Sequence, residues 1–134
     1  MITVKATREG LVGQKTSTGF KIDSGTPFVA LPSAEALRLW VWVRNGVTGK
    51  SCRALVLDVG PWNEHDNAYV FQRATMESGY DPNNPTVRPL AEDPQHRDQF
   101  GRITNGAGID LGEAVWKELG MTDNGLVDWA FVLP

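Results

Sequence analysis

Cysteine is nearly missing from this 134-residue chain. Cys52 stands alone, so neither an intramolecular disulfide nor a cysteine metal cluster can form, and the fold must rest on its core. That scarcity leaves export open, since many exported proteins have no disulfide. No run of like charges occurs, and the formal net charge is -3. Nucleic acid is therefore not an expected partner, because phosphate contacts require clustered Lys and Arg. No apolar run is long enough to span a bilayer. The opening MITVKATREG lacks the charged-then-apolar pattern of a signal peptide, so either the protein stays inside the cell or a leader has been trimmed. What remains is an ordinary globular composition, 41% hydrophobic and 22% charged, of a size that suits one domain over residues 1–134.

Short strands dominate the pattern. Ile2, Val4 and Ala6 alternate with Thr3 and Lys5 as a first strand. A Gly-rich polar passage, GLVGQKTSTGFKIDSGTP, follows as loop, with a short extended piece around Phe20–Ile22. FVALP is extended, and SAEAL reads as one helical turn capped by Ser33. LWVWV is strand-like in its β-branched and aromatic content, NGVTGK supplies turn chemistry, and SCRALVLDV returns as the partner strand. Trp40 and Trp42 fall on one side of their strand, as core or as a surface platform, with core the expectation. The segment 63–104 is rich in Pro, Asn, Asp and Gln, its apolar anchors being Tyr69, Val70, Phe71, Tyr80, Leu90 and Phe100. A loop so long inside a compact domain is more often functional than idle. Ala114, Val115, Trp116 and Leu119 then mark one helix that stops at Gly120, and LVDWAFVL closes the chain as a strand.

Within this pattern, ALVLDVGPW places a carboxylate, Asp58, at the end of an apolar strand, ahead of a sharp turn and a tryptophan, Trp62. Asp110 sits likewise between Ile109 and Leu111. Plain structural roles exist for both: Asp58 would order the Gly60–Pro61 turn, and Asp110 would cap the helix that follows. The alternative is chemical. Apolar neighbours raise a carboxyl pKa and make it a usable general acid, and a second carboxylate serves as base or stabilises a cationic transition state.

Three stretches in order carry a resemblance. LWVWVRNGVTGKSCRALVLDVGPW resembles the core hairpin of rare-lipoprotein-A-like proteins, with its D-x-G-P block. GAGIDLGEAVWKELGM resembles the second block of that family, and GQKTSTGF with FVALP its early Thr-x-x-Gly segment and the strand after it. The superfamily includes septal lytic transglycosylases, family 45 glycoside hydrolases and the first domains of expansins. The resemblance implies a mainly β, six-stranded double-psi β-barrel with one short helix after Ile-Asp-Leu and an irregular insertion at about 63–104. It also implies a groove for polysaccharide, peptidoglycan or another β-1,4-linked glycan. Asp58 and Asp110 map onto the family acids.

Around them, Trp62 suits stacking on a sugar ring. Thr16 and Thr18 match the groove-lining hydroxyls, and Glu64, His65, Tyr69 and Asn105 are further substrate-binding candidates. Glu64, His65, Asp66 and His96 lack tight metal-ligand spacing, so no metal site is assigned and a solvated loop is expected. The chemistry implied is glycan cleavage by a lytic-transglycosylase route, with aspartate acid/base and no cofactor. Alternatives are an expansin-like, non-catalytic polysaccharide-binding module or a family 45-like endoglucanase, although the disulfide richness of those hydrolases is missing here. A monomer exported to the periplasm or cell exterior is the accompanying expectation, with a cytoplasmic location open. If the acids work together, their carboxyls face each other across a cleft at about 5–10 Å.

Overall fold

The computed structural model describes residues 1–73 and 86–133, and the expected anchor Tyr80 lies outside them. Six strands close into a barrel: β1 (Ile2–Arg8), β2 (Phe28–Leu31), β3 (Trp40–Arg44), β4 (Ser51–Val59), β5 (Ile109–Leu111) and β6 (Gly125–Phe131). Their order around the barrel is β1-β5-β2-β4-β3-β6. Pairing is mixed. β1 runs parallel to β5 and β2 parallel to β4, whereas the other neighbours are antiparallel. Closure leaves no free sheet edge.

Alternation decides what lies inside. Val4 and Ala6 of β1, Val41 and Val43 of β3, Ala54 and Val56 of β4, Ile109 and Leu111 of β5, and Val127 and Trp129 of β6 are all buried. The helix after Ile-Asp-Leu is α2 (Glu113–Glu118), and it seats Val115, Trp116 and, just past its end, Leu119 against the barrel. Gly112 at its start is required by space, because a Cβ there would meet the Phe28 ring at 2.4 Å.

Four local expectations change. Trp40 and Trp42 are not core: they are 47% and 40% exposed on the outer face of β3, with the Arg53 guanidinium over both rings. They alternate with the buried Val41 and Val43, so one face had to be outside. Ser33 does not cap the 3-10 turn Ala34–Ala36; its hydroxyl hydrogen-bonds the Asn67 side chain instead. Gly112, not Asp110, occupies the N-cap position of α2.

The 63–104 insertion, finally, is only partly irregular. It holds the short helix α1 (Asn67–Val70) and a 3-10 turn at Leu90–Glu92, and it adds Tyr69, Val70, Val87 and Ala91 to the buried set. No helix among the described residues is long and apolar enough to cross a membrane.

Tyr69 is the pillar of this attachment. Its ring is fully buried edge-on against Trp129, whose Nε1 donates to the Tyr69 hydroxyl at 2.8 Å. That hydroxyl donates in turn to the Gly108 carbonyl at 3.0 Å, just ahead of β5. Asp66, also buried, accepts from the Leu90 amide and ties the two ends of the described insertion together. Tyr69→Phe is expected to cost about 1–3 kcal/mol, because it strands a buried indole N–H as well as losing a hydrogen bond. Urea unfolding of the two proteins measures it, and an unchanged midpoint would remove the pillar role.

Candidate functional site

The position of Asp58 follows from one irregularity. Val56 points inward, so strict alternation along β4 would send Asp58 inward as well. The pairing with β2 slips between Val29 and Ala30: Val29 lies opposite Val56, but Ala30 lies opposite Asp58. Leu57 is therefore the extra residue of a β-bulge, and Asp58 takes the face of Ala30. Ala30 also pairs with Asp110 on β5, and Asp110 with Thr7 on β1. The inward positions of β5 are Ile109 and Leu111, so this face is the outer one. A row Thr7–Asp110–Ala30–Asp58 thus crosses four strands on the outside of the barrel. The two aspartates stand either side of a methyl group, their backbones two strand spacings or about 9–10 Å apart across the sheet.

Glu9, absent from the sequence-derived set, joins them. It directly follows β1, and its backbone N–H donates to the Leu111 carbonyl at 2.9 Å. Its side chain meets Asp58. Burial first, then the hydrogen bond to Asp58 and the charges of Asp58 and Asp110, push the Glu9 carboxyl up to about 9. The geometry agrees, since the buried Oε2 has no donor to accept from. Protonated, Glu9 becomes a donor itself.

Asp58 behaves in the opposite sense. Burial raises its pKa, but hydrogen bonds from Glu9 and from the Ser17 and Val59 amides outweigh this and hold it below the usual value. Asp110 is raised to about 6: burial dominates, the Thr7 hydroxyl opposes it, and the charge of Asp58 adds to it. The site thus holds one ionised carboxylate, one carboxyl that titrates near neutrality and one that keeps its proton.

The loop from Gly13 to Ile22 closes on the bulge. Thr18 donates to the Leu57 carbonyl at 2.9 Å, and Ser17 reaches Asp58 through its amide at 3.1 Å. Thr16 is buried, and its hydroxyl is bonded to that of Thr18, so it holds the loop and does not face a ligand. On the other side, Gly60 packs against Asp110: a Cβ there would lie 3.9 Å from Oδ2 and 4.0 Å from the Trp62 nitrogen. This brings half-buried Trp62 to the edge of the row. Its indole N–H donates to the Asn105 side chain at 2.8 Å, and the Arg102 guanidinium stands 5.7 Å from the ring centroid. Asn105 therefore orients Trp62.

Three candidates fall elsewhere. Tyr69 is fully buried and cannot meet a ligand, because its hydroxyl is held between Trp129 and Gly108. Glu64 and His65 are exposed and line a separate cavity that shares Trp62. Among the described residues, no three His, Cys, Asp or Glu side chains gather as metal ligands. Glu9 was within reach of the sequence: Thr3, Lys5, Thr7 and Glu9 continue the outer alternation of β1, and the outer neighbour of Thr7 is Asp110.

Taken together, the closed six-stranded barrel with its crossed parallel pairs defines a protein of the double-psi β-barrel class. Within that class the chain belongs to the family of the domain of unknown function DUF8814, whose model matches residues 1–130. No curated protein matches it. Among solved structures it is similar to cerato-platanin 3 from M. perniciosa, at 10% identity over 98% of this chain and 94% of that one, with a TM-score of 0.51. It is also similar to the Streptomyces papain inhibitor, at 18% identity over the same shares, with a TM-score of 0.49. The likeness to cerato-platanin 3 is one of fold.

The carboxylates set a pH dependence. Above the ordinary Glu value of 4.5 the unfolded chain loses the Glu9 proton, whereas the folded protein keeps it to about 9. Stability therefore falls as the pH rises through that window. Asp110 adds the same sign between 3.8 and about 6. Asp58 has the opposite sign, its contribution being lost as the pH falls below 3.8. Glu9→Gln keeps a donor for Asp58 and has no proton to lose, so it is expected to flatten the decline above about pH 5. Urea midpoints across the pH range measure this, and an unchanged decline would place the proton on another group.

Proposed function

We propose that this protein binds a polysaccharide chain across the Thr7–Asp110–Ala30–Asp58 row, in the manner of an expansin-like, non-catalytic module. The Asp58 and Asp110 carboxyls accept hydrogen bonds from sugar hydroxyls, and Trp62 at the row's edge stacks on the apolar face of a ring. The observation that carries this reading is the occupancy of Asp58. The Ser17 and Val59 amides already converge on one of its oxygens, Oδ1, and the Glu9 carboxyl, when protonated, adds a third donor. A carboxylate offers about four lone-pair sites. Little basicity is left for activating water, whereas one further hydrogen bond to a hydroxyl fits. The ligand class is a β-1,4-linked glycan such as peptidoglycan, met by a monomer outside the cytoplasm.

A second reading is favoured by Asp110. A carboxyl held at about 6 is a competent proton donor to a glycosidic oxygen near neutral pH. Glycan cleavage in the manner of a lytic transglycosylase would use Asp110 as acid and then as base, while the substrate's own hydroxyl closes the anhydro ring. A family 45-like hydrolysis would instead need a base for water, the role that crowded Asp58 fills poorly.

Both readings are separated by incubating the protein with purified peptidoglycan and with cellulose, followed by sedimentation of the polymer and mass spectrometry of the supernatant. The expected result is sedimentation without product, weakened several-fold to about tenfold by Trp62→Ala through loss of stacking. Anhydro-muropeptides that vanish in Asp110→Asn would establish the second reading. Oligomers with ordinary reducing ends would indicate a hydrolase. A protein that stays in solution with either polymer and releases nothing would overturn both.

A further inference from the structure

Two tryptophans of β3 take no part in the carboxylate row. Trp40 and Trp42 lie two residues apart on the outer face of the strand, about 6–7 Å along it. Register fixes their neighbours. Trp42 stands opposite Arg53 of β4 on one side and Ala130 of β6 on the other, and Trp40 stands opposite Leu55. The Arg53 guanidinium is 5.4 Å from the Trp40 ring centroid and 5.7 Å from that of Trp42, so one cation bridges both rings. Such a contact holds in place a long side chain that would otherwise sweep through solvent. Even with Arg53 lying over them, the two indoles remain 47% and 40% exposed, so each keeps ring surface for a ligand.

Charge narrows the chemistry of that ligand. The ion pairs among the described residues engage Arg8, Arg73, Arg88 and Arg102, and Arg53 is in none of them. Arg44 continues the same face beyond Trp42, but it lies opposite Asp128, whose carboxylate also accepts from the Thr3 hydroxyl. Arg53 is thus the uncompensated cation of this face. A flat aromatic surface with a steadied guanidinium at its centre complements a ring that is apolar on its face and carries a carboxylate at its edge. A second copy of the chain fits poorly, because the same patch on both partners would set Arg53 against Arg53. The carboxylate row repels an acidic ligand, since Asp58 there is ionised.

We infer that the Trp40–Arg53–Trp42 face is a second binding site, for an acidic polysaccharide whose sugar rings carry carboxylates. Ring faces stack on the indoles, and a carboxylate takes the N–H fork of Arg53. The site is separate from the row and does not rest on it. The barrel then has one face for neutral sugar hydroxyls and another for acidic sugars.

The test is calorimetric titration of the whole protein at low salt with carboxymethylcellulose and with hydroxyethylcellulose. The two polymers share a β-1,4 glucan backbone and differ in the charge of the substituent. The chain as a whole carries a net charge of -3, so tight binding of the acidic polymer requires a local cationic site. The wild type is expected to bind carboxymethylcellulose about tenfold more tightly, the factor that one charge-assisted hydrogen bond supplies, and to lose that preference as salt is raised. Arg53→Gln is expected to abolish the preference and to leave hydroxyethylcellulose unchanged. Trp42→Ala is expected to weaken carboxymethylcellulose several-fold through lost stacking, with thermal unfolding confirming that both variants are folded. Equal wild-type affinities, binding of neither polymer, or a preference that survives Arg53→Gln would overturn the site. A dimer in sedimentation equilibrium that Trp42→Ala dissolves would also overturn it, by giving the face to a second copy. The row is judged separately, by sedimentation on peptidoglycan and cellulose, so either reading can fail without the other.

Discussion

Between Val56 and Asp58, β4 carries one residue more than β2 beside it, and the chemistry of the barrel's outer face depends on that slip. Without it, Asp58 would be a carboxylate driven into a core of valines and leucines, a placement that proteins avoid unless the charge is paired. With it, Asp58 joins Ala30, Asp110 and Thr7 in a row, and the bulged backbone presents the Leu57 carbonyl to Thr18. The Gly-rich loop is thereby fastened at two points, one of them the Ser17 amide on Asp58 itself. The loop also lays Phe20 edge-on against Phe28, so that local packing and site geometry support each other.

Electrostatics then differentiates three acids that chemistry alone would treat alike. Their closeness forbids full ionisation, because like charges in a partly desolvated space raise one another's pKa. Hydrogen-bond donors decide which of them stays charged. Asp58 receives the Glu9 carboxyl and the Ser17 and Val59 amides and holds its charge; Glu9 Oε2 finds no donor, and Glu9 keeps its proton; Asp110, with the Thr7 hydroxyl, lies between. The differentiation comes from burial and from donors on the loop, the bulge and the end of β1, so it is carried by all three.

The insertion works on another part of the barrel. Its described portion docks beside the first half of β1, where Arg88 donates to the Thr3 carbonyl and Tyr69 stands on Gly108 and Trp129. The row at the end of β1 is left to the Gly13–Ile22 loop and to Trp62. The insertion's second contribution is to turn Trp62 into a shared wall, with the carboxylate row on one side and the polar cavity on the other, its indole N–H steadied by Asn105.

The sequence by itself determined most of the barrel's strands, the late helix and the apolar settings of Asp58 and Asp110. Each is written in local periodicity: β-branched alternation in WVWVR, a helical apolar face at Val115, Trp116 and Leu119, and a carboxylate set among apolar neighbours in VLDV and GIDL. Period-2 alternation also contained Glu9, as the outward residue after Thr7. Only the tertiary structure decided which carboxylate holds the proton, that Tyr69 belongs to the core and that Trp40 and Trp42 lie outside. The physical reason is that these outcomes depend on partners far along the chain. Asp58 is governed by Glu9 and Ser17, Tyr69 by Gly108 and Trp129, and the outward face of β3 by which side of the closed barrel became its interior. Strand periodicity encodes that a face exists; the closure of six strands chooses which face is inside.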